Sequence, residues 1–321
     1  MEIEADAATQ ARSGRGKARE YSRRKPEFPG CRRVLITRDE IADYEGRFEF
    51  WDAATEIAWV VSEPTGVAHE HPSQRLAALC AVIASVRGSP IECFGSTDLE
   101  LRDEHGERQR IMQADQIVHR YPERAHLPDA MGLVVGEHDL PDVVLEVDNT
   151  TDVRRGKLWL YEEWGFPEIW VEVPERRSPS RPAGRYPGLT IHLLEDGEYR
   201  TDRESRAFSG WTATAIHVAM NEPALSEATS RILERVGRTL GARDGTRPDD
   251  TPWLRTHREQ GRARGRAEGR DEGRAELVEA IRRRILAPRG ISDVSDDQIL
   301  GALLEPGDQA DFWAILARPP R

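Results

Sequence analysis

A short strand that combines a hydrophobic face with acidic residues is the feature that most limits how this chain can fold. It lies at the start of the segment PDVVLEVDNTTDVRRGKLWLY, Pro141 to Tyr161. Alternation with a period of two predicts a strand that buries one face. Carboxylates are rarely buried unless they are paired or bind a metal ion. The alternating apolar residues are Val143, Leu145 and Val147, and the acids are Asp142, Glu146 and Asp148.

Two neighbouring segments add to this strand. Upstream, Ile111 to Val118 (IMQADQIV) reads as a second strand with Asp115 in its middle. Downstream, residues 149–152 break the strand, and residues 154–164 read as a helix. Three of its side chains share one face through their spacing of four and three residues: Lys157, Tyr161 and Trp164. Acids on two strands with a lysine just beyond them predict a functional site.

Composition limits the class of protein. A length of 321 residues predicts one sizeable domain with extensions, or two domains. The longest apolar run, Leu76 to Val86, is too short to span a bilayer, and the N-terminal residues lack the apolar core of a signal peptide. The three cysteines show no CxxC spacing, so neither a zinc site nor a disulfide framework is indicated. A cytoplasmic protein with no membrane partner is expected.

The formal net charge of -11 argues against a protein that coats DNA nonspecifically. This net charge is still compatible with an enzyme that has a local basic patch. The Arg-rich residues 1–33 are predicted to form a disordered basic arm, either a nucleic-acid tether or a solvated tail.

The rest of the chain is expected to be α/β, a mixed central sheet flanked by helices, with a helical C-terminal extension. Residues 34–221 form the sheet domain in this prediction. Residues 222–256 are a helical extension and linker, and residues 257–321 are a Gly/Arg/Glu-rich helix and a small helical segment. Four glycines recur there with a strict period of four: Gly261, Gly265, Gly269 and Gly273. Small residues at this spacing allow close helix approach, so a homo-oligomer is expected, with a fraying solvated helix as the alternative.

Two further places hold residues suited to chemistry. Glu49 lies between two aromatic residues of a predicted strand, where a solvent-facing position and a functional one are equally compatible with the alternation. His69 and His71 form an HxH pair that could bind a metal. No further histidine or cysteine lies at suitable spacing, and Pro72 suggests that the segment simply starts a helix.

Asp115 and Glu146, on two strands, could hold one divalent cation between them. Carboxylate oxygens favour Mg²⁺ or Mn²⁺ over zinc. Such an ion polarises a phosphate oxygen and lowers the pKa of a bound water, and Lys157 would orient the water or offset the developing charge. A strand rise of about 3.3 Å per residue puts Asp142 roughly 13 Å from Glu146, too far to share the ion, and Asp148 at about 7 Å.

These residues resemble the PD-(D/E)XK nuclease superfamily and, within it, the Uma-type restriction endonuclease family. The resemblance covers roughly residues 36–211, and its most specific parts are PDVVLEV, Lys157, Tyr161 and GFPEIWVEVP (Gly165 to Pro174). It implies that Asp115 and Glu146 are the metal-binding acids and Lys157 the catalytic lysine. Glu49 and His71 match positions before the first helix. Asp148 and Tyr161 would support the site.

The sequence departs from the family pattern in three places. The residue two positions after Glu146 is Asp148 rather than lysine, Asn149-Thr150 replaces the usual Ser-Pro, and Ala114 replaces the proline before Asp115. The activity implied by the resemblance is Mg²⁺-dependent hydrolysis of DNA phosphodiester bonds. The alternative is a nuclease fold without catalysis that binds DNA or a protein partner, and the bland interpretation of the acids and the lysine is that they are solvated surface charges.

Overall fold

A computed structural model describes residues 26–62, 67–122, 132–148, 152–177, 181, 184–292 and 294–304. Within these residues ten strands form one mixed β-sheet. The strands are β1 (Cys31–Leu35), β2 (Phe48–Asp52), β3 (Ile57–Val61), β4 (Glu92–Arg102), β5 (Arg108–His119), β6 (Gly132–Val134), β7 (Val143–Val147), β8 (Glu168–Val173), β9 (Gly188–Glu195) and β10 (Glu198–Asp202). The helices of this part are α1 (Arg38–Ile41), α2 (Val67–Arg87), α3 (Lys157–Trp164), α4 (Ala213–Asn221) and α5 (Glu227–Asp244). The predicted α/β class with a mixed central sheet is confirmed.

The long strand β5 is the centre of the sheet. The main strand order is β1-β3-β2-β5-β7-β8-β9-β10, and β4 pairs with β5 and β6. Because β4 runs along one edge of β5, both β2 and β7 must share the other edge. β2 pairs with residues 110–112 and β7 pairs with residues 116–118. Three residues, 113 to 115, therefore lie between the two pairing stretches.

Helices cover both faces of the sheet, so β7 is buried on both faces and not on one face as its alternation predicted. On one face, α2, α4 and α5 pack on residues such as Val143, Leu145 and Val147. On the opposite face, α3 packs its Leu160, Tyr161 and Trp164 on β7 and β8. Strands β7 and β8 are parallel and are buried throughout their length, which is the expected pattern for a parallel pair covered by helices.

The domain begins earlier than the sequence indicated. Phe28 is buried and stacks on Phe50, and strand β1 starts at Cys31. Residues 26–33 therefore belong to the folded domain rather than to a disordered arm, because they supply apolar surface to the sheet. Residues 1–25 of the predicted arm lie outside the described residues.

The predicted boundary at residue 221 also differs from the structure. Helix α5 packs on α2 so closely that a Cβ atom at Gly237 would lie 2.6 Å from Val86. Its Leu233, Val236 and Leu240 are buried in the main core. The chain forms two compact units, and the boundary in the sequence lies between Thr251 and Pro252. Residues 222–251 are therefore part of the first unit. Helix α5 belongs to the first unit because its apolar face would expose a large hydrophobic area if it did not pack on the main core.

The second unit contains a long helix, α6 (Pro252–Ile281), a π-helical turn (Arg282–Leu286), a 3₁₀ turn (Ala287–Arg289) and α7 (Asp296–Leu304). Helix α6 begins inside the segment predicted as a linker. A small core joins its end to α7: Val278, Ile281, Leu286, Val294 and Ile299. The glycines with a period of four are helical and have open space around them. No described helix is long and apolar enough to cross a membrane.

Candidate active site

The interruption between β2 and β7 along β5 forms the centre of the site. Where neither strand pairs with β5, the main-chain carbonyl of Gln113 accepts a hydrogen bond from Lys157 Nζ at 2.5 Å. Asp115 lies two residues further along, and its Oδ2 accepts a hydrogen bond of 2.7 Å from the Val147 amide. A side-chain donor thus satisfies the main-chain carbonyl of Gln113, and a side-chain carboxylate satisfies the main-chain amide of Val147.

Lys157 fills this interruption from α3. It is the first residue of the helix and only 2% exposed. Gly156, just before it, passes so close to the N-terminal segment that a Cβ atom would lie 2.7 Å from the Glu27 carbonyl oxygen. This close approach, which glycine allows, sets the start of α3 against the sheet. The helix face that carries Lys157, Tyr161 and Trp164 is buried, so Lys157 is not a solvated surface charge.

Two side chains, Glu49 and Tyr161, contact the pair formed by Lys157 and Glu146. The ammonium of Lys157 lies 3.0 and 2.9 Å from the two carboxylate oxygens of Glu146, and 2.5 Å from Glu49 Oε2. The hydroxyl of Tyr161 donates a short hydrogen bond to Glu146 Oε1. Glu49 is 6% exposed. The alternation along its strand allowed either a solvent-facing or a functional position, and the structure shows that Glu49 does not face solvent.

Electrostatics in this cluster are dominated by burial and by an excess of carboxylates. Burial raises the pKa of Glu146 to about 8; Lys157 opposes this shift, and Asp115 and Glu49 add to it. Burial alone would lower the pKa of Lys157, but the carboxylates of Glu146, Glu49 and Asp115 raise it above its ordinary value. The neighbouring carboxylates thus favour the charged form of Lys157, whereas burial opposes the charged form of Glu146.

Asp115 has different neighbours from Glu146. Its Oδ1 forms a short ion pair with the guanidinium of Arg47 and lies 3.4 Å from Nε2 of His69. Burial works to raise the pKa of Asp115, but the positive potential of His69, Lys157 and Arg47 holds it below its ordinary value. Asp115 is thus the reliably ionised acid of the site.

The two remaining acids of β7 are held elsewhere. Asp148 is buried, accepts a hydrogen bond of 3.3 Å from the Val153 amide and pairs with Arg185. It contacts Val153, which lies just before α3 in sequence, and Arg185 rather than Lys157. Asp142 binds Arg120 through the main-chain amide at 2.7 Å and through the guanidinium at 2.9 and 2.7 Å. This agrees with the expectation that Asp142 lies too far along the strand to share the site.

The structure adds two residues that the sequence had not singled out correctly. Arg47 was not considered. At the HxH pair, it is His69 that reaches Asp115, while His71, the residue matched by the family resemblance, is exposed. Pro72 lies inside α2 rather than at its start. Because α2 begins at Val67, His69 and His71 lie within the helix and point to different sides of it. Assigning this segment to a helix from the sequence would have indicated that the two histidines cannot bind one metal ion together.

The donor set suits a hard cation. Glu49, Asp115 and Glu146 bring three carboxyl groups together, against the positive charges of Lys157 and Arg47. Oxygen ligands and surplus negative charge favour Mg²⁺ or Mn²⁺. Within the described ranges, no group of three or more His, Cys, Asp and Glu side chains is arranged to hold a metal ion as it stands. The ammonium of Lys157 instead lies between Glu49 and Glu146.

Comparisons with known proteins give little further information. No family model matches the sequence, and no curated protein matches it. Among solved structures, the chain is similar to that of "a putative nuclease belonging to DUF820" from Anabaena variabilis, with 13% identity and a TM-score of 0.33. The match covers 63% of this chain and 99% of the other. A similarity of this size supports no argument, so membership of the Uma-type family stays a prediction.

Proposed function

We propose that this protein is an endonuclease that hydrolyses phosphodiester bonds in DNA with Mg²⁺ or Mn²⁺. One observation carries the proposal: Asp115, Glu146 and Lys157 meet where the sheet is interrupted, although they come from three separate elements. Two acids can hold a cation, and a cation together with a neighbouring lysine is suited to stabilising negative charge that develops on a phosphate. A restriction-endonuclease-like arrangement of the fold is part of the same proposal.

Each side chain has a role in this account. Asp115 and Glu146 would hold the cation, which supplies Lewis acidity and a bound water of lowered pKa. Lys157 would donate an N–H to the attacking water or to a phosphate oxygen. Glu49 orients the ammonium of Lys157 through its contact of 2.5 Å. Tyr161 orients Glu146 by donating its hydroxyl proton to Oε1.

A second candidate function rests on the state of Lys157. Its three N–H groups already face Glu49, Glu146 and the Gln113 carbonyl, and the side chain is buried. In this arrangement Lys157 has no donor left for a water or a phosphate. A protein that kept these contacts permanently would use the cluster as a structural ion-pair network and would bind DNA or a protein partner without cleaving it.

A cleavage assay separates the two candidates. The full chain is incubated with supercoiled, linear and single-stranded DNA in Mg²⁺, Mn²⁺ or EDTA. The proposed function requires nicked or linear products that appear with a metal ion and not with EDTA. If calorimetry detects no metal binding and DNA stays intact under all conditions, the protein is the non-catalytic module.

A further inference from the structure

The contact between Arg47 and the Asp115 carboxylate joins a partly exposed cation to a buried acid. Asp115 is fixed through Oδ2 by the Val147 amide at 2.7 Å. Its other oxygen, Oδ1, receives the Arg47 guanidinium. The oxygen that Arg47 occupies is therefore the one that a metal ion held by Asp115 could use.

The surroundings of Arg47 differ from those of Lys157. Lys157 is 2% exposed, whereas 27% of the Arg47 side chain is exposed. Besides Asp115, the guanidinium lies 3.5 Å from Glu70 Oε1 and 3.2 Å from His69 Nε2. The Glu70 side chain is 43% exposed, so this contact is weak in energy. The Arg47 guanidinium can therefore move away from Asp115 while it stays exposed to solvent.

A guanidinium at the solvent side of a carboxylate cluster has a further property. Its planar N–H groups match two oxygens of a phosphate, which a lysine ammonium does not. A ligand with phosphate groups would meet Arg47 before it met Lys157, because Lys157 lies beneath the surface.

We propose, on the basis of the nuclease function above, that Arg47 is a displaceable counter-ion of Asp115 that also binds the nucleic-acid backbone. Without a metal ion, Arg47 neutralises Asp115. If Asp115 served as a ligand of a cation, the guanidinium would be free to bind a phosphate of the DNA. Arg47 thereby couples the binding of a cation at Asp115 to the binding of DNA.

The test uses Arg47→Met, which keeps side-chain length and removes the charge. Mn²⁺ affinity, measured by calorimetry without DNA, should rise about threefold or more, because a competing positive charge is gone. Affinity for a fluorescent DNA duplex in Ca²⁺ should fall about tenfold. The slope of log affinity against log salt should decrease by about 1, since one phosphate contact is lost.

Arg110→Met is the matched control. Arg110 lies on β5, pairs with Glu163 at 3.3 Å and has 26% of its side chain exposed, nearly the value of Arg47. Its replacement should leave Mn²⁺ affinity unchanged and should affect DNA binding less than Arg47→Met. Arg47→Lys, which keeps the charge without the planar fork, should retain the salt slope and lose several-fold in DNA affinity.

The outcomes separate this role from the proposed function. Unchanged Mn²⁺ affinity in Arg47→Met, or a loss of DNA binding no larger than that of Arg110→Met, overturns the role of Arg47 even if the wild type cleaves DNA. Full DNA affinity in Arg47→Lys also counts against it. If both binding changes appear while the wild type yields no cleavage product, Arg47 acts as proposed and the nuclease function fails. A wild type that binds neither metal nor DNA overturns both.

Discussion

The ammonium of Lys157 lies 2.9 and 3.0 Å from the two carboxylate oxygens of Glu146, in a position where both residues are 2% exposed. A pair this deeply buried has lost most of its hydration and depends on its partners for compensation. Because Glu49 also contacts Lys157, one cation serves two carboxylates. The site is thus organised around an ion pair that constrains both folding and chemistry.

Replacing Lys157 with methionine should destabilise the metal-free protein by about 3 kcal/mol, because it leaves buried carboxylates without a cation. Mg²⁺ should restore part of the loss, since a cation held by the acids compensates the same charges. Cleavage should fall about 100-fold, or about 3 kcal/mol of transition-state stabilisation. Urea unfolding with and without Mg²⁺, together with cleavage rates, checks this prediction.

The control for Lys157→Met is the double variant that adds Glu146→Gln. Removing both members of a buried pair costs less than removing one, so the double variant should be more stable than Lys157→Met alone. If the double variant loses as much stability as Lys157→Met and Glu146→Gln lose together, Lys157 and Glu146 are not energetically coupled.

Asp142→Asn should lower stability by about 1–2 kcal/mol and leave metal affinity unchanged. The carboxylate of Asp142 receives three hydrogen bonds from Arg120, and charge-assisted bonds of this kind contribute in this range. Calorimetric Mg²⁺ titration and thermal unfolding of the same samples measure both properties. Weakened metal binding would place Asp142 in the site and contradict the present assignment.

The central part of the site could be predicted because its residues lie close together in sequence. The strand pattern of residues 143–147 and the spacing of Lys157 and Tyr161 on a helix are local signals. They correctly placed Glu146 on a strand and Lys157 and Tyr161 on one face of a helix, and the structure shows that this face is buried. The strand containing Asp115 followed from its own alternation.

The outer part could not be predicted, because it depends on contacts between distant segments. Arg47 and Asp115 are separated by 68 positions, and no local pattern indicates that they meet. Glu49 lies on a strand whose alternation fits either orientation, and only the pairing of β2 with β5 decides it. Likewise, helix α5 shows an apolar face, but the sequence does not indicate which surface covers it.

A buried histidine in the first unit predicts a dependence of stability on pH. His217 Nδ1 lies 2.8 Å from Glu172 and Nε2 lies 3.0 Å from Glu175. The hydrogen bond to Glu172 raises the pKa of His217, against the opposing effect of burial. The stabilisation is therefore complete below the ordinary pKa of about 6.5 and is lost as pH rises through the raised value.

Urea unfolding between pH 6 and 9 tests this dependence. Burial also raises the pKa of Glu172, which likewise makes the folded state less stable as pH rises above the ordinary value of that acid. His217→Gln should flatten the decline above pH 6.5. The exposed His105 supplies the control, and His105→Gln should keep the wild-type slope. Identical slopes in all three proteins would rule out His217 as the source.

Removal of the second unit tests the role assigned to the helix with periodic glycines. A chain that ends at Thr251 keeps the whole sheet and all residues of the site. Its Mg²⁺ affinity should equal that of the full chain, while light scattering should show a smaller oligomer. An unchanged assembly state would mean that α6 does not hold copies of the chain together.

The Glu146→Gln variant gives the most direct test of the central claim, that Glu146 binds the catalytic cation. The amide is nearly isosteric with the carboxyl group, so thermal unfolding should show a folded protein. The measurement is Mg²⁺-dependent cleavage of supercoiled DNA by the wild type and this variant, with calorimetric Mg²⁺ affinity on the same preparations. The account predicts metal-dependent cleavage by the wild type and, in the variant, weaker Mg²⁺ binding with no detectable product. Wild-type cleavage and wild-type Mg²⁺ affinity in a folded Glu146→Gln protein would contradict it.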